Sequence, residues 1–354
     1  MTIEQDDYAK KEKLSKDLLK KNERSQWAIL ALILGVVLTF VLCMFIGPSS
    51  LTWSDILNSL QGKGTWTSDY ILYNIRIPRS ACVAFVGAGL SIAGMAMQAM
   101  FKNPMASPSV LGLSSGASFG ASLAIAFGIG GFLGSFTVPV MAFIFCFITM
   151  FLVYSLAVTR YGTPITLLLL SGVAVGAFFS GLTSLVQYLV EPDILQGVVY
   201  WTMGSFNRCT WDSLKLGAVV IGAGIVMICL CLKELNLISL GEEQAESLGV
   251  NIRKTRILLL IGTSLTVGGC VAISGAIGFV GLIIPHICRA LCGPNHIYLA
   301  PMCILSGAIF LMIMDLIAKS ITITGELPIG ILTSLLGAPF FVYIMRKKKN
   351  EIWG

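Results

Sequence analysis

Long apolar runs, each ended by glycine, proline or a charge, recur along the chain from residue 27 to residue 345. An apolar run of about 20 residues is long enough to cross roughly 30 Å of hydrocarbon as a helix. About ten segments qualify: 27–46, 80–100, 110–128, 132–158, 165–190, 214–232, 256–274, 276–292, 299–319 and 327–345. The runs are continuously apolar and do not alternate at every second residue, so the pattern predicts helices and not a barrel. Within the third segment, Ser109 to Gly120 is rich in Gly and Ser and only mildly apolar. A short or re-entrant helix, buried among its neighbours, is expected there. The pattern thus describes an all-α integral membrane protein: residues 1–26 as a charged tail, 27–346 as a transmembrane domain and 347–354 as a second tail.

Composition agrees with this reading and adds an orientation. Hydrophobic residues make up 56% of the 354-residue chain and charged ones 12%, about half the charged share of an ordinary soluble domain. The tail 1–26 holds seven Lys/Arg and six Asp/Glu and no apolar stretch, and the chain closes on Arg346, Lys347, Lys348 and Lys349. An even number of spans puts both termini on one side. With the termini cytoplasmic, 18 of the 24 Lys/Arg fall inside and six outside (Lys63, Arg76, Arg79, Arg208, Lys215 and Lys319), which satisfies the positive-inside rule. The net charge of +6 is therefore mostly a topology signal. A nucleic-acid surface would interleave basic and aromatic residues on a soluble face, and none is seen. The first run is longer than a signal-peptide core and ends in a poor cleavage site, Phe45-Ile46-Gly47-Pro48, so it is expected to be retained. All six tryptophans lie at span ends or in loops, as interfacial anchors do. The ten cysteines sit mainly within apolar runs, as small hydrophobes.

A weak internal repeat is also present. A shift of 181 residues aligns Gly87 with Gly268, Ile92 with Ile273, Gly94 with Gly275, Pro104 with Pro285 and Gly112 with Gly293. Five helices separate the copies, so they enter the membrane in opposite directions, and inverted repeats of this kind mark transporters. The pairs Gly116/Gly120, Gly130/Gly134 and Gly172/Gly176 are spaced so that helix backbones can touch.

Candidate chemistry is sparse. The chain holds no G-x-x-x-x-G-K-[ST] phosphate loop, so coupling to ATP would require a partner. Asp315 alone falls well inside a span, with Lys319 one turn later on the same helix face. Such a pair is expected to be structural, whereas a proton- or sodium-coupled carrier needs a relay of several buried ionisable groups. Cys288, Cys292 and His296 would share a helical face, but Gly293-Pro294 should end that helix before His296, and no metal site is expected. Arg76-Ile77-Pro78-Arg79 stands on the outer side against the charge bias. Its guanidinium forks suit either carboxylates of a soluble partner or lipid phosphates. In the cytoplasmic loop 233–255, Leu240 to Val250 reads as a short helix bounded by Gly241 and Gly249, with Ala245 and Leu248 on one face. It could carry a rigid push from a cytosolic motor, or serve as a plain solvated connector.

From residue 70 to 345 these features, in order, resemble the iron–siderophore and cobalamin permeases of bacterial ABC importers (FecCD type). The resemblance is carried by Arg76-Ile-Pro-Arg79, Gly87 to Gly94 followed by Gln98, Lys102-Asn103-Pro104, Leu111-Gly112 and Trp201 to Ser205. It continues through Leu240-Gly241 with Ala245 and Leu248-Gly249, the block Ser274 to Arg289 with Pro285 and His286, Gly293 to His296, Asp315, Glu326-Leu-Pro328-Ile-Gly330 and Gly337 to Phe340. It implies the fold of a type II ABC importer permease: ten helices per subunit, paired as a homodimer around a central path in the bacterial cytoplasmic (inner) membrane. Two ATP-binding subunits would lie below, carrying the only cofactor, Mg-ATP, and an extracytoplasmic substrate-binding protein would dock above. Leu240, Gly241, Glu242, Ala245, Leu248 and Gly249 match the coupling helix. Arg76, Arg79 and Lys319 match positions that receive the binding protein's glutamates, with Lys in place of Arg at 319. Gly162, Thr163, Pro164 and Ile165 match the cytoplasmic gate. The expected cargo is an iron chelate (siderophore or haem) or cobalamin, and no chemistry is expected on it. Two other readings remain from the residues alone: an ion-coupled secondary carrier, which the shortage of intramembrane ionisable groups disfavours, and a membrane enzyme, which two histidines and no acid/base cluster disfavour.

Overall fold

The computed structural model describes residues 3–47, 51–160, 163–321 and 326–352. The described residues form fifteen α-helices: α1 Ile3–Phe45, α2 Trp53–Leu60, α3 Trp66–Tyr70, α4 Ile77–Met100, α5 Leu113–Phe127, α6 Thr137–Ala157, α7 Ile165–Leu189, α8 Pro192–Thr202, α9 Trp211–Leu230, α10 Leu232–Leu240, α11 Glu242–Ser247, α12 Ile252–Ser274, α13 Val280–Cys292, α14 His296–Ile321 and α15 Ile329–Ile352. A π-helical turn, Ile71–Arg76, joins α3 to α4, and short 3₁₀ turns (Pro108–Leu111 and Gly131–Phe136) precede α5 and α6. Among the described residues, seven helices are long and apolar enough to cross a membrane, and three shorter apolar ones (Leu113–Phe127, Val280–Cys292 and Ile329–Tyr343) join them. Seven and three give the ten apolar segments of the sequence pattern.

Several boundaries differ from expectation. The charged tail does not break from the first span: α1 is one helix from Ile3 through Phe45, because its Glu- and Lys-rich start favours helix. The third segment is indeed short, a 15-residue α5 spanning about 22 Å at 1.5 Å per residue. The segment expected as a helix over 276–292 is helical only from Val280. Gly275 (φ +69°) ends α12 and Phe279 (φ +67°) starts α13 from a left-handed backbone, so residues 275–279 run unwound. Gly130 and Gly134 do not pair helices. Both have positive φ and lie at the turn before α6. Gly116 and Gly120, in contrast, sit against Thr149 and Met141 of α6. Trp27, Trp53, Trp66 and Trp211 are exposed, as anchors should be, while Trp353 lies outside the described residues.

α4 is the axis of the bundle. Its apolar window is 83% buried and that of α12 67%, against 17% for α1. α4 packs against α12, α13 and α14 by putting small residues at the crossings. A Cβ at Gly87 would strike the Gly307 carbonyl of α14, and one at Gly94 the Gly281 carbonyl of α13. Between helices in lipid, such backbone proximity supplies the dispersion that a hydrophobic drive would supply in water. Of the pairs aligned by the 181-residue shift, Gly87/Gly268 and Ile92/Ile273 fall within α4 and α12, the two most buried spans, whereas Gly275 lies just past α12, and Pro104, after α4, is matched to Pro285 inside α13. α4 and α12 run in opposite directions: Arg79, at the start of α4, pairs with Glu326, and Glu326 lines one cavity with Ser274, at the end of α12.

Candidate functional site

Residues far apart in the chain meet at both ends of the bundle. At the end where α4 starts, Arg79 donates from Nη2 to Asp315 Oδ1 at 2.8 Å and from Nη1 to Glu326 Oε1 at 2.9 Å. Lys319 Nζ lies 2.5 Å from Asp315 Oδ2. The expected Asp315–Lys319 pair is thus present, but as part of a four-residue network joining α4, α14 and the segment that leads into α15. Arg79, Asp315 and Lys319 are buried, so each charge depends on the others to offset its desolvation.

Arg76 is also buried, and its guanidinium donates to the carbonyl oxygen of Met44 at the end of α1. The three cations matched to a partner's glutamates are therefore engaged inside the chain, not presented as free forks at a rim. The physical reason is packing. The π-helical turn carries Arg76 and the first turn of α4 carries Arg79 inward, toward α1 and α14. Beside this network lies a cavity of about 310 Å³ whose lining includes Tyr200, Trp201, Ser205, Arg208, Glu326 and Pro328. α8, which hydropathy merges into a loop, forms one wall of it.

At the opposite end, Gln98 near the end of α4 donates to the Leu282 carbonyl at 3.2 Å and accepts from Arg289 Nη1 at 3.0 Å. Two motif residues 191 positions apart thereby clamp α4 to α13. Asn103 accepts from Met105 N–H at 2.9 Å and, with Pro104, shapes the turn after α4. Pro285 is buried inside α13 and His286 is half-buried on it. α13 ends at Cys292, so His296 starts a separate helix, where its Nδ1 lies 2.8 Å from Asn236 Oδ1. Among the described residues, no group of three His, Cys, Asp or Glu side chains gathers as a metal site.

The segment matched to a coupling helix is helical over six residues, α11. It ends in a Schellman motif. Gly249 N–H donates to Glu246 and Val250 N–H to Ala245, with Gly249 at φ +88°. Leu248 caps the helix, its N–H still bonded to the Gln244 carbonyl, but it does not share the burial of Ala245. Ala245 is fully buried against Ile238, Val250 and Ile252, whereas Leu248 is 61% exposed and Leu240, on the other flank, 66%. Of the gate positions, Gly162 lies outside the described residues. Thr163 and Pro164 lead into α7 and Ile165 begins it. The Thr163 carbonyl accepts from Arg256 Nη1 at 2.8 Å, and the same guanidinium reaches Glu242 Oε1 at 3.0 Å through Nη2. Sequence reasoning counted Arg256 only as an inward charge. Its signal was an arginine just inside a span that begins beside the α11 loop.

Among the described residues, ten apolar helices and an antiparallel pair of buried ones at the centre define a multi-pass helical membrane protein. Residues 34–347 match the FecCD transport family, and the chain belongs to it. It is 32% identical to the hemin transport system permease protein HmuU of Yersinia pestis, over 90% of this chain and 97% of that one. It is 36% identical to the vitamin B12 import system permease protein BtuC of Salmonella arizonae, over 90% and 94%. Among solved structures, a metal-chelate type ABC transporter in an inward-facing conformation superposes with a TM-score of 0.79 at 35% identity, covering 91% of this chain and 99% of that one.

Proposed function

We propose that this chain is the membrane-spanning permease of an ATP-binding-cassette importer that carries an iron chelate (siderophore or haem) or cobalamin across a bacterial inner membrane. Two copies would enclose the path, with both termini cytoplasmic. ATP would be bound and hydrolysed by two partner subunits, and a soluble binding protein would deliver cargo to the Arg79 end. The cavity walled by Tyr200, Trp201 and Arg208 is then the mouth of the path, offering aromatic faces and a cation to a flat or anionic chelate. Arg79 and Lys319, held in the network beneath, and Arg76, held by the Met44 carbonyl, would set the shape of the surface on which the binding protein sits.

The observation that carries this reading is α11: a short helix that starts after Gly241 and closes in a Schellman motif at Gly249, anchored through buried Ala245, and flanked by two exposed leucines at the cytoplasmic end. Leu240 and Leu248 are the apolar groups an ATPase groove would cover. Full burial of a leucine is worth about 1.5–3 kcal/mol. Leu240→Asp and Leu248→Asp are each expected to weaken association with the ATP-binding subunits by about tenfold or more, since tenfold corresponds to roughly 1.4 kcal/mol. The measurement is co-purification and titration of the co-expressed subunits. Unchanged affinity in both variants would contradict the assignment.

A further inference from the structure

At the cytoplasmic end a single guanidinium joins three elements. Arg256 sits in the second turn of α12, one turn after Ile252, which packs on Ala245 of α11. Its Nη2 holds the Glu242 carboxylate at the start of α11 at 3.0 Å, and its Nη1 holds the Thr163 carbonyl, just before α7, at 2.8 Å. The Arg256 side chain is 13% exposed and that of Glu242 38%, so the guanidinium is largely withdrawn from water, where its bonds are stronger than at a surface, while the Glu242 carboxylate keeps one side in solvent. A guanidinium is planar and its nitrogens keep a fixed separation. Displacing Glu242 relative to α12 must therefore pull on Thr163 or break a bond. The acceptor at Thr163 is a backbone carbonyl, so the link acts on the main chain itself. A cavity of about 360 Å³ beside it, lined in part by Tyr154, Pro164 and Glu246, leaves room for that segment to shift.

We propose that Arg256 is the positioning residue through which movement of α11 is passed to the chain entering α7, so that the ATPase moves the cytoplasmic gate by way of one side chain. This rests on the importer reading above and names the part that transmits the stroke.

The test uses the permease with its ATP-binding subunits in nanodiscs, with exposed Thr166 changed to cysteine as a reporter beside the gate. Nine of the ten native cysteines are buried and the tenth, Cys229, is half-buried, so a bulky water-soluble maleimide reports on position 166. ATP with vanadate is expected to change its labelling rate by at least ~5-fold, the low end of coupling between sites. In Arg256→Gln that response should fall below ~2-fold, short of the same coupling range, while the ATPase still co-purifies and still hydrolyses ATP. Reversing the pair, with Glu242→Arg and Arg256→Glu together, restores an ion pair but leaves the Thr163 carbonyl without a donor. The response should stay lost. An undiminished response in Arg256→Gln, a response rescued by the reversed pair, or loss of ATPase co-purification in Arg256→Gln would each overturn the proposal; the last would make Arg256 an assembly residue. Should labelling of the Arg256-bearing complex ignore ATP altogether, the importer reading itself fails and this inference with it.

Discussion

Asp315 carries two cations, Arg79 at 2.8 Å and Lys319 at 2.5 Å, and Arg79 in turn carries Glu326. With two charges of each sign, the network is neutral as a whole, which is why it can sit below the surface. Removing one member leaves a buried charge uncompensated, at a cost of about 3–5 kcal/mol. Arg79→Ala is therefore expected to lower the melting temperature of the detergent-solubilised protein clearly. Glu326→Gln should cost less, because Arg79 keeps Asp315. A variant Arg79→Ala that melts with the native protein would refute the network's structural role. Only part of this set was legible beforehand. Asp315 and Lys319 lie four residues apart, a spacing that by itself places them on one helix face. Arg79 lies 236 residues from Asp315 and 247 from Glu326, and no local pattern signals such a meeting. Arg256 escaped for the same reason: its partners are 14 and 93 residues away.

At the scale of elements, the close crossings on α4 are the most demanding feature. Gly94 meets the backbone of Gly281 where α13 begins, and a side chain there would have to displace main chain, not another side chain. Gly94→Leu is expected to destabilise the bundle by at least ~2 kcal/mol through overpacking, seen as loss of the monodisperse peak in size-exclusion chromatography. Gly222→Leu, at a position whose Cβ would meet nothing within 4 Å, should be tolerated. Survival of Gly94→Leu alongside Gly222→Leu would contradict the packing described. Hydropathy located the long spans because a 20-residue apolar run has few other uses. It missed α2, α3 and α8, which are only 8, 5 and 11 residues long and mix polar with apolar positions. It also extended α13 over 276–279, since Gly275-Ala276-Ile277-Gly278-Phe279 is apolar enough to pass as helix. Positive φ at Gly275 and Phe279, a matter of backbone and not of composition, breaks the helix there.

At the scale of the whole molecule, the buried charges Arg79, Asp315 and Lys319 are spent on one another and on Glu326, and the parts that could receive an external push lie at the opposite end. α11 rests on the start of α12, and the far end of α12, Ile273 and Ser274, lines the cavity beside Glu326. A push at α11 thus has a continuous packed route toward the mouth. On the importer reading proposed above, such a carrier would take its energy from a soluble partner and not from an ion gradient.

The most direct measurement is accumulation of labelled haem, ferric siderophore or cyanocobalamin in proteoliposomes. The account predicts none with the purified chain alone under an imposed proton or sodium gradient. It predicts uptake of one of the three once the ATP-binding subunits, the binding protein and ATP are supplied. Accumulation by the chain alone on a gradient would contradict it.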